Sequence, residues 1–265
     1  MVIKKSYEQS LLKQGIFNPE SLTSSFGSRQ NRHSGRGSVP SVPIEGKPQE
    51  RMLIRKYLRG GFLRFFNRDM YFGQQRPFKE ILITVEAALK GIPTPDMLAA
   101  VSIKVSGPFS RGYLVSKELS ACSDLPSYLT TLARAKKKTF SLEKQSVLKR
   151  TAETIRLMHD KGFYHADLNL KNILVDTADP HNIYLIDWDK SRFAGERLDL
   201  PERRSNVLRF CRSMVKLTGY GLPLTENDPL FFLESYWHND NEVRKALKRL
   251  RMSLAVRSFV WKISK

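Results

Sequence analysis

His165-Ala166-Asp167-Leu168-Asn169-Leu170-Lys171-Asn172 is the stretch on which the reading of this chain turns. Before it, Leu148, Ala152, Ile155 and Met158 recur on one face of a helix. That helix is expected to be capped by Ser141, to run to about Lys161 and to stop at Gly162. After it come two short apolar runs, Ile173–Val175 and Ile183–Ile186. The turn formers Asp176-Thr177-Ala178-Asp179-Pro180-His181-Asn182 separate the runs and predict a hairpin. Asp187 follows the second run directly, inside Leu185-Ile186-Asp187-Trp188-Asp189. Helix, polar loop, hairpin and acid in this order bring two carboxylates and an amide to one strand–loop edge.

The chemistry that needs such a set is phosphoryl transfer. One carboxylate orients an attacking hydroxyl and accepts its proton, while an amide oxygen and a second carboxylate hold Mg²⁺ against nucleotide phosphates. A His-x-Asp-(x)4-Asn loop followed by a strand-borne Asp is how protein-kinase-like enzymes arrange these groups. On that reading Asp167 is the base, Asn172 and Asp187 are the metal ligands, and His165 braces the loop. Taken singly, Asp and Asn are more often turn formers, and a histidine here could be a satisfied core residue. The agreement of spacing with the elements on both sides favours the chemical reading.

Further out, Pro77 to Lys90 predicts a helix with Phe78, Ile81, Leu82, Val85 and Leu89 as its apolar stripe. Gly91 ends it, and Ile92-Pro93-Thr94-Pro95 enforces extended chain. Met52–Leu58, Val101–Ser106 and Gly112–Leu119 read as strands, the last two joined at Gly107-Pro108. Asp124-Leu125-Pro126 opens another helix, and the chain beyond Leu200 is mainly helical. The expected fold is α+β and bilobal, protein-kinase-like, with a sheet-rich lobe over residues 1–120 and a helical lobe over 121–265. In such a lobe a cation on the third strand grips phosphates and an acid on the next helix positions it. Arg55 ends Met52-Leu53-Ile54-Arg55 and can bind phosphate bidentately. Glu80 and Glu86 are the candidate acids. Glu80 lies away from the apolar stripe, but its spacing to Gly91-Ile92-Pro93 favours it. Gly35-Arg36-Gly37 could form the loop over the phosphates, with Gly27 as another candidate. An adenine-contacting hinge is expected around Glu118-Leu119-Ser120, where backbone groups do the work.

Composition bounds the rest. The 265 residues are 41% hydrophobic, enough for a core and too many for a disordered chain. The 45 Lys+Arg against 26 Asp+Glu give a formal charge of +19, which attracts polyanions without choosing among nucleic acid, anionic membrane and phosphorylated substrates. Cys122 and Cys211 are far apart and form no Cys-x-x-Cys motif, so neither a disulfide framework nor a zinc site is expected. No apolar run approaches the roughly 20 residues of a membrane span. The opening Met1–Gly15 is charged but lacks the apolar stretch of a signal peptide. A cytoplasmic protein is expected. Residues 21–48 read as a Ser/Gly/Arg/Pro-rich linker.

At these residues the chain resembles the lipopolysaccharide core kinases of Gram-negative bacteria, most of all the branch that acts on 3-deoxy-D-manno-octulosonic acid (Kdo). The resemblance rests on Ile16-Phe17-Asn18-Pro19-Glu20, Gly35-Arg36-Gly37, Leu53–Gly61, Asn67-Arg68-Asp69, Phe78-Lys79-Glu80, Gly91–Pro95, Tyr164–Leu174, Leu185–Lys190 and Asn206–Ser213. Arginine on the third strand and Asp-Trp-Asp in place of Asp-Phe-Gly are what that family leads one to expect. The resemblance implies transfer of phosphate from ATP, with Mg²⁺, to the 4-hydroxyl of Kdo on a lipid A precursor. That acceptor is an anionic amphiphile in the inner leaflet. Arg51, Arg55, Lys56, Arg59, Arg64 and Arg68, interleaved with Phe62, Phe65 and Phe66, suit peripheral binding to an anionic inner-membrane surface. Arg244–Lys265 repeats the pattern with Lys245, Lys248, Arg249, Arg251, Arg257 and Lys262 beside Leu250, Leu254, Phe259, Val260 and Trp261. For that stretch a core-completing helix with a solvated face fits equally well.

Two other classes compete. A heptose kinase or an aminoglycoside- or choline-type phosphotransferase would share the loop and the Ile92–Pro95 segment. A catalytically dead scaffold or a basic nucleic-acid-binding module would share the charge. The complete Asp167/Asn172/Asp187 set argues against the scaffold, and no nucleic-acid-binding signature accompanies the basic residues, so nucleic acid is not an expected partner.

Overall fold

The computed structural model describes residues 1–25, 30–31, 39–58, 69–135 and 138–263, with backbone alone at residues 25, 30, 31 and 254–263. The chain forms two compact units, Met1–Ser120 with Trp188–Lys190 and Ala121–Asp187 with Ser191–Lys265. The fold is mixed, with sheets and helices.

The first unit holds β1 (Val2–Ile3), α1 (Glu8–Lys13), α2 (Pro19–Ser25), β2 (Gln30–Asn31), β3 (Val39–Ile44), β4 (Lys47–Lys56), β5 (Tyr71–Phe72), α3 (Arg76–Leu89), β6 (Met97–Ser106) and β7 (Phe109–Lys117). Its strands pair antiparallel in the order β1-β6-β7-β4-β3-β2, with β5 added to β7. β6 ends at Ser106 as expected but starts four residues earlier, at Met97. β7 ends at Lys117 instead of Leu119 and starts at Phe109 instead of Gly112, because the two-residue Gly107-Pro108 connection lets Phe109 pair with Ser106. Alternation along β4 sets the two faces of the sheet. Met52 and Ile54 point into a core with Tyr7, Leu11 and Ile16 of the N-terminal segment, Val42 and Val115. Arg55 and Tyr57 have the opposite parity. Tyr57 packs with Ile81 of α3, Met97, Ala100 and Leu114.

α3 buries only part of the stripe read from its sequence: Ile81 is buried and Phe78 packs beside it, but Val85 is exposed. Leu82 and Leu89 are 65% and 83% exposed, whereas Pro77, Glu80, Ile81, Thr84 and Ala87 are buried. Small Thr84 and Ala87 allow close approach to the sheet. Gly112 on β7 admits the helix start, since a Cβ there would lie 2.6 Å from Pro77 Cγ. The buried face is also the one that carries the Glu80 carboxylate to a cation on β4. Ion pairing and close backbone approach therefore outweigh the area gained by covering two leucines.

The second unit holds β8 (Cys122–Asp124), α4 (Leu125–Arg134), α5 (Phe140–Asp160), β9 (Phe163–Tyr164), β10 (Ile173–Asp176), β11 (Ile183–Leu185), β12 (Arg192–Phe193), α6 (Leu200–Thr218), α7 (Asp228–Trp237) and α8 (Asp240–Ile263). β10 is the centre of a three-stranded sheet between β11 and β8, and β9 pairs with β12. Val147, Leu148, Ala152, Ile155 and Met158 line the buried face of α5, and Phe232, Leu233 and Tyr236 that of α7. Asp124 caps α4 by accepting from the Ser127 N–H at 3.0 Å. Ser141, however, is not the cap of α5. The helix starts at Phe140 after Thr139, whose hydroxyl donates to Glu143 Oε1 at 2.5 Å instead of capping a backbone N–H. In α8, Val243, Ala246 and Leu250 are buried and Arg244, Lys245, Lys248, Arg249 and Arg251 are exposed. Among the described residues, no helix is long and apolar enough to cross a membrane.

Candidate active site

The loop 165–172 is placed from both ends. Gly162 follows α5 at φ 79°, and a Cβ there would stand 1.6 Å from the Gly195 carbonyl oxygen. Only glycine permits that approach, which lets the Gly162 carbonyl accept from the Ala194 N–H at 2.8 Å. The chain then enters β9 and delivers His165. At the other end a single 3-10 turn, Leu170–Asn172, leads into β10.

His165 is fully buried and ties the loop to the strand end. Its Nδ1 accepts from the Asp167 N–H at 3.2 Å, so its Nε2–H donates to the Ile186 carbonyl at 3.0 Å. The ring is thereby fixed as the neutral Nε2–H tautomer. Burial lowers its pKa, against the opposing pull of the Ile186 carbonyl and of the Asp187 and Asp167 carboxylates. Asn172 Nδ2 donates to the Asp167 carbonyl at 2.8 Å and approaches Asp167 Oδ2 at 3.4 Å. The Asn172 carbonyl accepts from the Ile186 N–H at 3.1 Å, continuing the ladder in which Ile173 faces Leu185. Asn172 and Asp187 thus stand at the paired ends of β10 and β11. Asp187 is left-handed, at φ 64°. Asp tolerates this region better than most residues, and such strain concentrates at functional sites. The Asp167 side chain is 62% exposed.

A second buried network supports the first. Asn206 on α6 donates from Nδ2 to the His165 carbonyl at 2.7 Å, and its Oδ1 accepts from His159 Nε2 at 3.0 Å. His159 Nδ1 in turn accepts from the Tyr236 hydroxyl at 2.6 Å. Burial lowers the His159 pKa to about 3. The Ser213 hydroxyl, also on α6, accepts from the Leu170 N–H at 3.2 Å.

In the first unit Arg55 forms a salt bridge with Glu80, and Glu80 also accepts from the Tyr57 hydroxyl. Glu80 is 3% exposed, and Glu86 lies farther toward solvent. Burial and the adjacent Glu80 charge raise the Tyr57 pKa, so the phenol stays protonated and donates. Arg76, one turn before Glu80, meets Asp189 through Nε at 3.0 Å and Nη2 at 2.5 Å. It also stacks 4.5 Å from the Tyr71 ring centroid. Trp188 is buried and donates from Nε1 to Thr94 Oγ1 at 3.2 Å. Glu118 at the expected hinge turns its carboxylate to Ser41 and Arg51.

Gly35, Gly37 and Gly27 lie outside the described residues, as do Arg59–Arg68 and the side chains of Leu254, Arg257, Phe259, Val260, Trp261 and Lys262. Of the remaining basic residues, Arg51 pairs with Glu118, and Lys56 pairs with Glu20 and Asp69 at 2.6 and 2.7 Å. Sequence reasoning gave no role to Tyr57, Arg76, Asn206, Arg209 or Ser213, although all but Arg76 lie in the stretches Leu53–Gly61 and Asn206–Ser213 that carry the resemblance.

The donor set suits a hard divalent cation. Hydrogen bonding commits the Asn172 amide nitrogen to Asp167, which leaves the amide oxygen for a ligand. Among the described residues there is no cluster of three His, Cys, Asp or Glu that could hold a metal. One amide oxygen and one carboxylate match Mg²⁺, which keeps waters and is completed by substrate phosphates, better than a metal needing a full protein cage.

The lipopolysaccharide kinase (Kdo/WaaP) family model matches residues 24–236, and the chain belongs to that family. Proteins named 3-deoxy-D-manno-octulosonic acid kinase are similar to it. The one from Actinobacillus succinogenes is 30% identical over 234 residues, 83% of this chain and 89% of that protein. The one from Xanthomonas euvesicatoria pv. vesicatoria is 31% identical over 191 residues, 70% and 69% of the two chains. The one from Xylella fastidiosa strain M12 is 29% identical over 171 residues, and the match spans 63% of each chain. A solved structure titled "WaaP in complex with acyl carrier protein" shares the fold at a TM-score of 0.60 and 14% identity, covering 95% of this chain and 98% of that one.

Proposed function

We propose that this chain is an ATP- and Mg²⁺-dependent kinase of a protein-kinase-like, two-lobed fold that phosphorylates the 4-hydroxyl of Kdo on a lipid A precursor. It would act from the cytoplasmic face of the inner membrane, drawn there by its net charge of +19. Family membership and the relatives' names support the reaction class and the sugar. The observation that carries the site assignment is the pair of hydrogen bonds from Asn172 Nδ2 to the carbonyl and carboxylate of Asp167. They hold the Asn172 amide beside the Asp167 carboxylate through its nitrogen, which supports reading its oxygen as a metal ligand.

Asp167 orients the sugar hydroxyl and takes its proton at a carboxylate oxygen as that hydroxyl attacks the γ-phosphorus in line, breaking the bond to the β,γ-bridging oxygen and releasing ADP. Asn172 and Asp187 would hold the Mg²⁺, which supplies charge neutralisation at the phosphates. His165 keeps the backbones of Asp167 and Ile186 at fixed separation, and so sets the distance between base and ligand. Arg55, oriented by Glu80, binds the α/β-phosphates through its guanidinium fork.

The test is transfer of one phosphate to purified Kdo-lipid A precursor, with its position located by mass spectrometry. Asp167→Asn should lower kcat by about 10²–10⁴-fold, the usual contribution of a positioned base, and leave the affinity for Mg·ATP nearly intact. Retained turnover would remove Asp167 from the role. Phosphorylation of a heptose hydroxyl with none on Kdo would move the substrate to the neighbouring branch.

A further inference from the structure

α6 meets the catalytic loop at two points seven residues apart, Asn206 at the His165 carbonyl and Ser213 at the Leu170 N–H. These two tethers fix the rotation and height of the helix against the loop. They therefore also fix what its solvent-facing side presents beside Asp167. That side carries Arg209, Arg212 and Lys216, spaced i, i+3, i+7 and thus on one face over about 10 Å. Arg209 is nearest the reacting group. Its Nη1 lies 3.9 Å from Asp167 Oδ1, with the side chain 44% exposed. That separation is too long for a hydrogen bond, so the contact leaves the guanidinium donors available to a ligand.

The position answers an electrostatic problem in the proposed reaction. An acceptor that carries an acidic group close to its reacting hydroxyl must bring that charge near the Asp167 carboxylate. Two like charges 4 Å apart repel strongly in a partly desolvated site. A cation between them removes the conflict, and a planar guanidinium fork matches a carboxylate or phosphate bidentately.

We propose that Arg209 binds the acceptor's anionic group nearest the reacting hydroxyl, with Arg212 and Lys216 extending the track to further anions. This rests on the sugar-kinase reading above. The shared ligand chemistry is an oxyanion, carried as a carboxylate on the sugar or as a phosphate on the lipid.

The test uses the full chain and the variants Arg209→Gln and Arg209→Lys. The acceptors are a soluble Kdo glycoside, its carboxyl-reduced counterpart and the phosphorylated Kdo-lipid A precursor. Binding is measured by calorimetry without nucleotide, and transfer by steady-state kinetics. Arg209→Gln should weaken binding and raise the acceptor KM tenfold or more, with the KM for ATP within twofold of the parent. Lysine should restore part of the loss. A loss that vanishes on the carboxyl-reduced glycoside assigns the carboxylate, and one seen only with the phosphorylated lipid assigns the phosphate. Equal loss on every acceptor, unchanged acceptor binding, or no binding by the parent chain overturns the proposal. Arg209-dependent binding without any transfer by the parent would uphold this proposal and sink the kinase reading instead.

Discussion

Removing the Glu80 carboxylate should destabilise the first unit and loosen its proposed grip on nucleotide. The Glu80 side chain is 2% exposed, with Arg55 at 30% and Tyr57 buried. In Glu80→Ala the Tyr57 hydroxyl loses its acceptor in a buried position, at about 1–3 kcal/mol. Breaking a fully buried ion pair costs roughly 3–5 kcal/mol, but Arg55 reaches solvent and can rehydrate, so about 1–2 kcal/mol applies here. The sum is about 2–5 kcal/mol. At about 2–4 °C per kcal/mol for a chain of this size, Tm should fall by roughly 4–20 °C. Glu80→Gln keeps an acceptor oxygen for Tyr57 and removes only the charge, so its loss should be about 1 kcal/mol and a few degrees. Circular dichroism melts with and without Mg·ADP separate the two effects. Both variants should lose most of the stabilisation that Mg·ADP gives the parent, since Arg55 loses its orienting partner in each. An alanine variant melting within 2 °C of the parent would refute the energetic reasoning. A glutamine variant with full Mg·ADP stabilisation would refute the positioning role.

Asp187→Ala should abolish the Mg²⁺ dependence of nucleotide binding, read by titrating the metal at fixed ADP; a surviving dependence excludes Asp187 as a ligand. Arg76→Gln breaks the bidentate contact to Asp189, two residues beyond Asp187, and should raise the Mg²⁺ concentration needed for half-maximal activity severalfold, with Arg76→Lys intermediate. Lys144 and Asp228 form a salt bridge at 2.7 Å, each side chain 6% exposed, so Lys144→Met should cost about 3–5 kcal/mol in urea unfolding by leaving Asp228 buried without its cation. His159 is held neutral, with a pKa of about 3 against an ordinary value of 6.5, so the unfolded chain binds the extra proton between those values. Stability should therefore fall as pH drops below about 6.5, by about 1.4 kcal/mol per pH unit from this ring, and His159→Gln should flatten that slope in urea titrations at pH 6.5, 5.5 and 4.5.

What could be read in the sequence was local. The helix before the loop, the hairpin after it and the spacing among His165, Asp167, Asn172 and Asp187 all follow from neighbours within a few turns or one strand pair. α3 shows where locality fails. Its apolar periodicity pointed to Leu82 and Leu89 as well as the buried Ile81, but the buried face also answers to Arg55 on β4 and Tyr57 just past its end, more than twenty residues earlier. A helical wheel contains neither the ion pair nor the missing Cβ of Gly112. The contacts of Asn206 and Arg209 were hidden for the same reason, since α6 meets the loop only through the packing of the unit, although both residues lie in the stretch Asn206–Ser213 that carries the resemblance. Ser ranks above Thr as an N-cap, which favoured Ser141, yet α5 begins at Phe140 after Thr139 with no side-chain cap.

Both ring nitrogens of His165 are committed to backbone groups, one accepting from Asp167 and one donating to Ile186. The imidazole therefore has no lone pair or hydrogen left to trade during turnover, and it is no conduit. On the proposed assignment, a proton taken by Asp167 would leave to bulk water through that side chain, which is 62% exposed. Regeneration of the carboxylate would then be governed by the surrounding medium and its buffers, with His165 offering no relay.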